Sequence, residues 1–229
     1  MLDNYFTNPV FIFYTLLSVS LLLIRFPVIG LYFRTVNTLY HELGHAFTTL
    51  LFKGKVHKII LNTDTSGSAT TSVKSGIGKF FVAIAGYIFS VFCGAVFFYL
   101  IKHSLEIYVI YITMGMAAVN LFFYVRNTYG IIWTISFMVL SIVVLNFKIN
   151  MLTYGFSILI SSIIISDSVV SGLQLIYLSF KSPGNSGDAK LLSSITKIPP
   201  IFWALLIFAI IVYIVYFTVK NYFLSPIII

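Results

Sequence analysis

His41-Glu42-Leu43-Gly44-His45 places two imidazoles and a carboxylate close together inside an apolar stretch. Four residues apart on a helix, His41 and His45 project from one face and can reach one ion. Glu42 projects beside them, where it could take a proton from a water that the ion activates. The chain has 4 His in 229 residues, and its glutamates are Glu42 and Glu106. At that composition a His-Glu-x-x-His arises by chance with a probability of roughly 0.0006, so the pattern points to metal-dependent hydrolysis.

Two histidines leave a catalytic zinc short of a third protein ligand. The acidic residues are Asp3, Glu42, Asp64, Glu106, Asp167 and Asp188. Asp3 and Glu106 fall at segment ends and Asp64 at a turn, which reads as solvated charge. Asp167 is the other carboxylate within an apolar run. Counted from run ends at Phe52 and Tyr177, Leu43 lies about 14 Å and Asp167 about 15 Å from the same membrane edge. Matching depth is what shared ligation requires. Asp188 heads Ala189-Lys190-Leu191-Leu192 in a polar loop, where it could cap a helix. It reaches the metal if that loop dips among the helices. Both aspartates stay open as the third ligand. Asn127, at the end of a span, could hydrogen-bond an extended substrate, although capping or helix–helix bonding also suits it.

The elements that carry these residues belong in a bilayer. The chain is 59% hydrophobic and 9% charged, with a mean hydropathy of +1.03, whereas soluble domains carry about 25% charged residues. About 20 apolar residues cross a bilayer. Candidate runs are Pro9–Ile24, Val28–Phe52, Ile77–Ile101, Ile107–Val125, Ile131–Phe147, Met151–Tyr177 and Pro200–Val219. Arg25-Phe26-Pro27 separates the first two, and whether the first crosses is the least defined point. After the motif helix, Val56–Leu61 and Ser68–Val73 flank Asn62-Thr63-Asp64-Thr65-Ser66-Gly67, which is turn chemistry and predicts a β-hairpin over about 54–76. A second polar loop covers about 181–197. The expected fold is an all-α polytopic membrane protein of about six or seven transmembrane helices with one β-hairpin insertion, a single integral-membrane unit over residues 1–229.

The net charge of +8 fits lysines facing anionic lipid, not nucleic-acid binding. Placing the Lys53–Lys79 segment inside also puts Arg126, Lys181, Lys190 and Lys197 there, 9 of the 14 basic residues. This orientation sets the site near the cytoplasmic side of a multi-pass protein. The N-terminus lacks a basic leader and a cleavage site, so the first apolar run reads as retained. Cys93 lies in an apolar run and reads as a packed thiol. Gly86, Ser90 and Gly94 repeat every four residues, a face for close helix packing. His57 and His103 read as loop histidines. A metal transporter would need further ligands at depth, and Asp167 and Asn120 are all the spans offer.

These residues resemble a known family. A membrane-embedded His-Glu-Leu-Gly-His followed by a Lys/Gly/Ser-rich hairpin is similar to the site-2 protease class of intramembrane zinc metallopeptidases, and most of all to its small, compact branch. Gly54-Lys55-Val56, Gly67-Ser68-Ala69-Thr70-Thr71, Ala85-Gly86-Tyr87, Arg126-Asn127 before Gly130, Asp188-Ala189 before Leu191-Leu192, and Pro199 before Trp203 follow in the family's order, over roughly residues 35–210. The resemblance implies a Zn2+ ion on His41 and His45, Glu42 as general base, and a hairpin that pairs with an unwound strand of a transmembrane protein substrate. Better-known members carry an Asp-Gly pair and an Asn-x-x-Pro motif. This chain has no Asp-Gly, and Asn127-Thr128-Tyr129-Gly130 lacks the proline. Asp188-Ala189 is the nearest counterpart by motif, and Asp167 the better choice by depth. The alternative to a protease is a non-catalytic zinc-binding membrane scaffold or pseudoprotease.

Overall fold

The computed structural model describes residues 9–223. Eight α-helices and one two-stranded sheet follow in the order α1 (Pro9–Leu23), α2 (Pro27–Leu51), β1 (Lys55–Leu61), β2 (Gly67–Ser72), α3 (Gly76–Lys102), α4 (Glu106–Phe123), α5 (Thr128–Asn146), α6 (Asn150–Lys181), α7 (Asp188–Thr196) and α8 (Pro200–Thr218). Asp3 lies outside the described residues. Helices α3, α4, α5, α6 and the Pro200–Phe223 segment are each long and apolar enough to cross a membrane. The α1–α2 pair, bent by 107°, passes the same test only as a unit, which gives five spans, or six with the pair counted as one. The chain is therefore a polytopic all-α membrane protein with a hairpin insertion.

The bend has a local cause. Pro27 has no N–H to give to the preceding turn and its ring crowds that turn, but it suits the first position of a new helix, where it stands. At 15 residues, α1 is about 22 Å long, too short to cross a hydrocarbon core of about 30 Å. The first apolar run thus forms a broken unit with the second.

Helix α6 is the most buried of the spanning helices. It packs against α1, α2, α3, α4 and α8, and several of its serines donate to carbonyls one turn back, as Ser161 does to Ser157 and Ser166 to Ser162. Helices α2 and α3 cross where Gly44 meets Gly86: a Cβ on Gly44 would lie 3.0 Å from the Gly86 Cα. The small-residue face of α3 is shared between neighbours. Gly86 faces α2, while Ser90 meets Ser168 of α6 at 3.1 Å and Gly94 lies against Ile164 and Ile165.

The hairpin runs back along α2 instead of away from it. Both strands pack on α2, and the Thr38 hydroxyl donates to the Thr65 carbonyl at the hairpin tip (2.6 Å). Asp64 builds the turn by accepting from the Ser66 N–H and hydroxyl, which hold its carboxyl below the usual carboxylate range. Backbone at that depth is tolerated when its polar groups are paired or face water. The outer edge of β1 is paired. Ile59 donates to the Tyr124 carbonyl (2.8 Å) and accepts from Arg126 N–H (3.2 Å). Leu61 N–H donates to Asn127 Oδ1 (3.2 Å), and Asn127 Nδ2 donates to the Leu61 carbonyl (2.6 Å). Residues 124–127 thus act as a short third strand.

The register decides the other edge. Ile59 pairs with Ala69 and Leu61 with Gly67 across the hairpin. Since Ile59 and Leu61 turn their backbone groups away from β2, their partners Ala69 and Gly67 turn theirs away from β1. Gly67, Ala69 and Thr71 all line a cavity beside α2.

Candidate metal centre

The pair in α2 is organised before any third residue arrives. His41 Nε2 and His45 Nε2 lie 3.1 Å apart. His45 Nδ1 lies 2.6 Å from the Val82 carbonyl of α3. A carbonyl can only accept, so Nδ1 carries a proton and Nε2 is the nitrogen turned toward the site. The Tyr87 ring meets His41 edge-on at 4.5 Å between centroids. Gly86 makes room: a Cβ there would lie 2.6 Å from both His41 Cε1 and His45 Nε2.

Asp188 completes the cluster. It opens α7, which packs on α3 and α8, and follows Gly187, whose φ of +53° suits glycine. Asp188 Oδ2 lies 3.5 Å from His45 Nε2 and 3.6 Å from His41 Nε2. Burial works against the Asp188 charge, but His45 and His41 outweigh it and hold the carboxyl well below its ordinary range. Ligands held about 2.0–2.1 Å from a tetrahedral ion stand roughly 3.3 Å apart, so separations of 3.1, 3.5 and 3.6 Å fit one small divalent ion. The donor set, two imidazoles and one carboxylate, also suits such an ion. These three residues could hold a metal.

Glu42 is buried on the same helix, within electrostatic reach of His41, His45 and Asp188. Its other neighbour is the hairpin: the Ala69 backbone N–H faces its carboxyl, and a Cβ on Gly67 would lie 2.8 Å from Glu42 Oε1. All four residues line a cavity of about 590 Å³, together with the outer edge of β2, the Asn185–Asp188 turn, and Ser171, Gln174, Leu175 and Leu178 of α6.

Two candidates from the sequence stand elsewhere. Asp167 is not in the cluster. Arg34 Nε of α2 donates to both its oxygens, at 2.8 and 3.0 Å. Arg34 precedes His41 by two helical turns, about 10 Å. The depth match fails because α6 continues to Lys181, which puts Asp167 about 21 Å from the helix end. Asn127 has its amide on the Leu61 backbone, and its side chain makes no cap for α5. It anchors the hairpin instead of facing the cavity. The contributions of Gly86, Gly67 and the Val82 carbonyl do not follow from residue type. Gly86 left a signal in the Gly86/Ser90/Gly94 spacing and Gly67 one in Gly67-Ser68-Ala69-Thr70-Thr71, while Val82 left none.

A family model described as Peptidase M50B-like matches residues 13–218 of the chain. No curated protein and no solved structure matches it.

Proposed function

The chain belongs to the Peptidase M50B-like family, and from that premise we propose that it is an intramembrane zinc metalloprotease cutting peptide bonds of membrane-spanning proteins. The observation that carries this reading is the convergence of His41 Nε2, His45 Nε2 and Asp188 Oδ2 beside the Glu42 carboxyl, on the wall of one cavity. His41, His45 and Asp188 would hold the zinc. Zinc bound there would supply Lewis-acid chemistry toward a peptide carbonyl and a water. Glu42 would serve as general base, accepting a water proton and passing it to the leaving amine. The Val82 carbonyl fixes the His45 tautomer that leaves Nε2 free.

A spanning helix has its backbone locked in its own hydrogen bonds, so it must unwind before cleavage. The outward edge of Gly67, Ala69 and Thr71 supports pairing with such an extended segment, as in strand addition. The substrate is therefore a transmembrane protein, reached within the lipid bilayer. The lysines around the hairpin support a cytoplasmic opening for water.

The test measures zinc content and cleavage of a panel of membrane-spanning reporter proteins in proteoliposomes. Wild type should hold about one zinc per chain. Glu42→Gln should keep the zinc and lose at least roughly 10²-fold in cleavage. Zinc bound by both, with cleavage equal in both, would overturn the role of Glu42. Zinc without cleavage of any reporter would favour the scaffold reading.

A further inference from the structure

We propose that Gln174 of α6 positions the substrate by pairing with the edge of its unwound strand that faces away from β2. The inference rests on the protease reading above and adds a residue to it. A strand added to β2 has two edges. One pairs with the outward groups of Gly67 and Thr71 and the Ala69 carbonyl, the Ala69 N–H facing Glu42. The other carries N–H and C=O groups that are costly to leave unpaired away from water.

The fold meets this problem once already. At the outer edge of β1, the Asn127 amide accepts from the Leu61 N–H and donates to the Leu61 carbonyl. One primary amide satisfies both groups of one residue, because it carries a donor and an acceptor side by side. A substrate strand needs the same service on the cavity's far wall. That wall is α6, where Ser171, Gln174, Leu175 and Leu178 line the cavity. Their spacing of three, four and seven residues puts them on one helix face. Both β2 and α6 pack on α2, the helix that carries His41, Glu42 and His45. The space between them is therefore bounded by the metal ligands.

Gln174 is exposed to this space and makes no hydrogen bond among the described residues. Several other polar side chains on the cavity wall are already engaged: Thr38 with the Thr65 carbonyl, Ser186 with the Pro183 carbonyl, and Asn37 Oδ1 with the Ser168 hydroxyl; Ser68, Thr71, Ser171 and Tyr87 also line it, but a lone hydroxyl has no amide pair of donor and acceptor side by side. Asn185 is free of side-chain partners but sits on the Pro183–Asn185 turn, on the Asp188 side of the site. Gln174 has the length, the paired donor and acceptor, and a rigid helical mount.

Two probes separate this role from metal binding. Acetohydroxamate addresses the zinc alone, and acetyl-trialanyl hydroxamate adds a short strand. Both are titrated against zinc-loaded wild type, Gln174→Ala and Gln174→Met in detergent. The trialanyl probe should weaken about tenfold in both variants, as expected for two lost hydrogen bonds. Acetohydroxamate affinity and zinc content should stay unchanged. N-methylating the outward-facing probe amide should weaken binding to wild type and add little in the variants. Equal trialanyl affinity in wild type and variants would overturn the role of Gln174 and leave the protease reading intact. Equal weakening of both probes would also overturn it, marking Gln174 as structural. Absence of zinc and of both probes from wild type would sink the protease reading, and this inference with it.

Discussion

Gly86 stands so close to His41 that a single methyl group between them would lie 2.6 Å from the ring carbon Cε1. The candidate ligands are thus packed against the bare backbone of a neighbouring helix. Gly86→Ala should displace both imidazoles, since the same methyl would also meet His45 Nε2 at 2.6 Å. Zinc per chain should fall well below wild type. Gly94→Ala, which meets only flexible Ile165 and Ile164 side chains, should keep its zinc while losing about 1–3 kcal/mol of stability. Metal analysis and thermal unfolding in detergent would check both, and full zinc in Gly86→Ala would refute the steric account.

The two aspartates should separate cleanly. Asp188→Asn removes a ligand oxygen's charge and should abolish stoichiometric zinc. Asp167→Asn should retain zinc but lower stability, because it leaves the Arg34 guanidinium without its partner. Arg34 is partly exposed, so the loss should fall below the about 3–5 kcal/mol of a fully buried pair. Replacing both, as Arg34→Met with Asp167→Leu, should recover most of that stability. Zinc loss in Asp167→Asn with retention in Asp188→Asn would reverse the assignment.

Asn127→Ala removes two hydrogen bonds to Leu61, which is worth about 1–3 kcal/mol locally. The expected result is faster amide hydrogen exchange at Leu61, unchanged zinc content and reduced cleavage. Unaltered exchange across β1 would show that the hairpin does not depend on this anchor.

Gly187 precedes Asp188 with a φ of +53°. Gly187→Ala should strain that turn by about 1–2 kcal/mol and turn Asp188 away from the histidines. Zinc affinity should drop while hydroxamate binding to fully loaded protein changes less. A zinc titration showing wild-type affinity would rule out this dependence.

Some of the molecule follows from local chemistry alone. His41 and His45 share a helix face because four residues nearly complete one turn, and no neighbour is needed to arrange that. Apolar runs of sufficient length give the spanning helices, with Pro27 explaining why the first two runs form one bent unit. Asn62 to Gly67 give the hairpin through their turn chemistry. What sequence could not decide is which distant residue meets the pair. Depth counted along a run says nothing of lateral position, nor of where a helix ends. So Asp167 matched the motif midpoint Leu43 in depth while Arg34 holds it about two turns from His41, and Asp188 comes from a loop that tertiary packing draws to the site. Asn127 likewise offered a polar amide with no indication of its partner. Its partner is a strand edge that exists only once the hairpin folds back along α2, because backbone groups at membrane depth must pair with whatever the fold brings beside them.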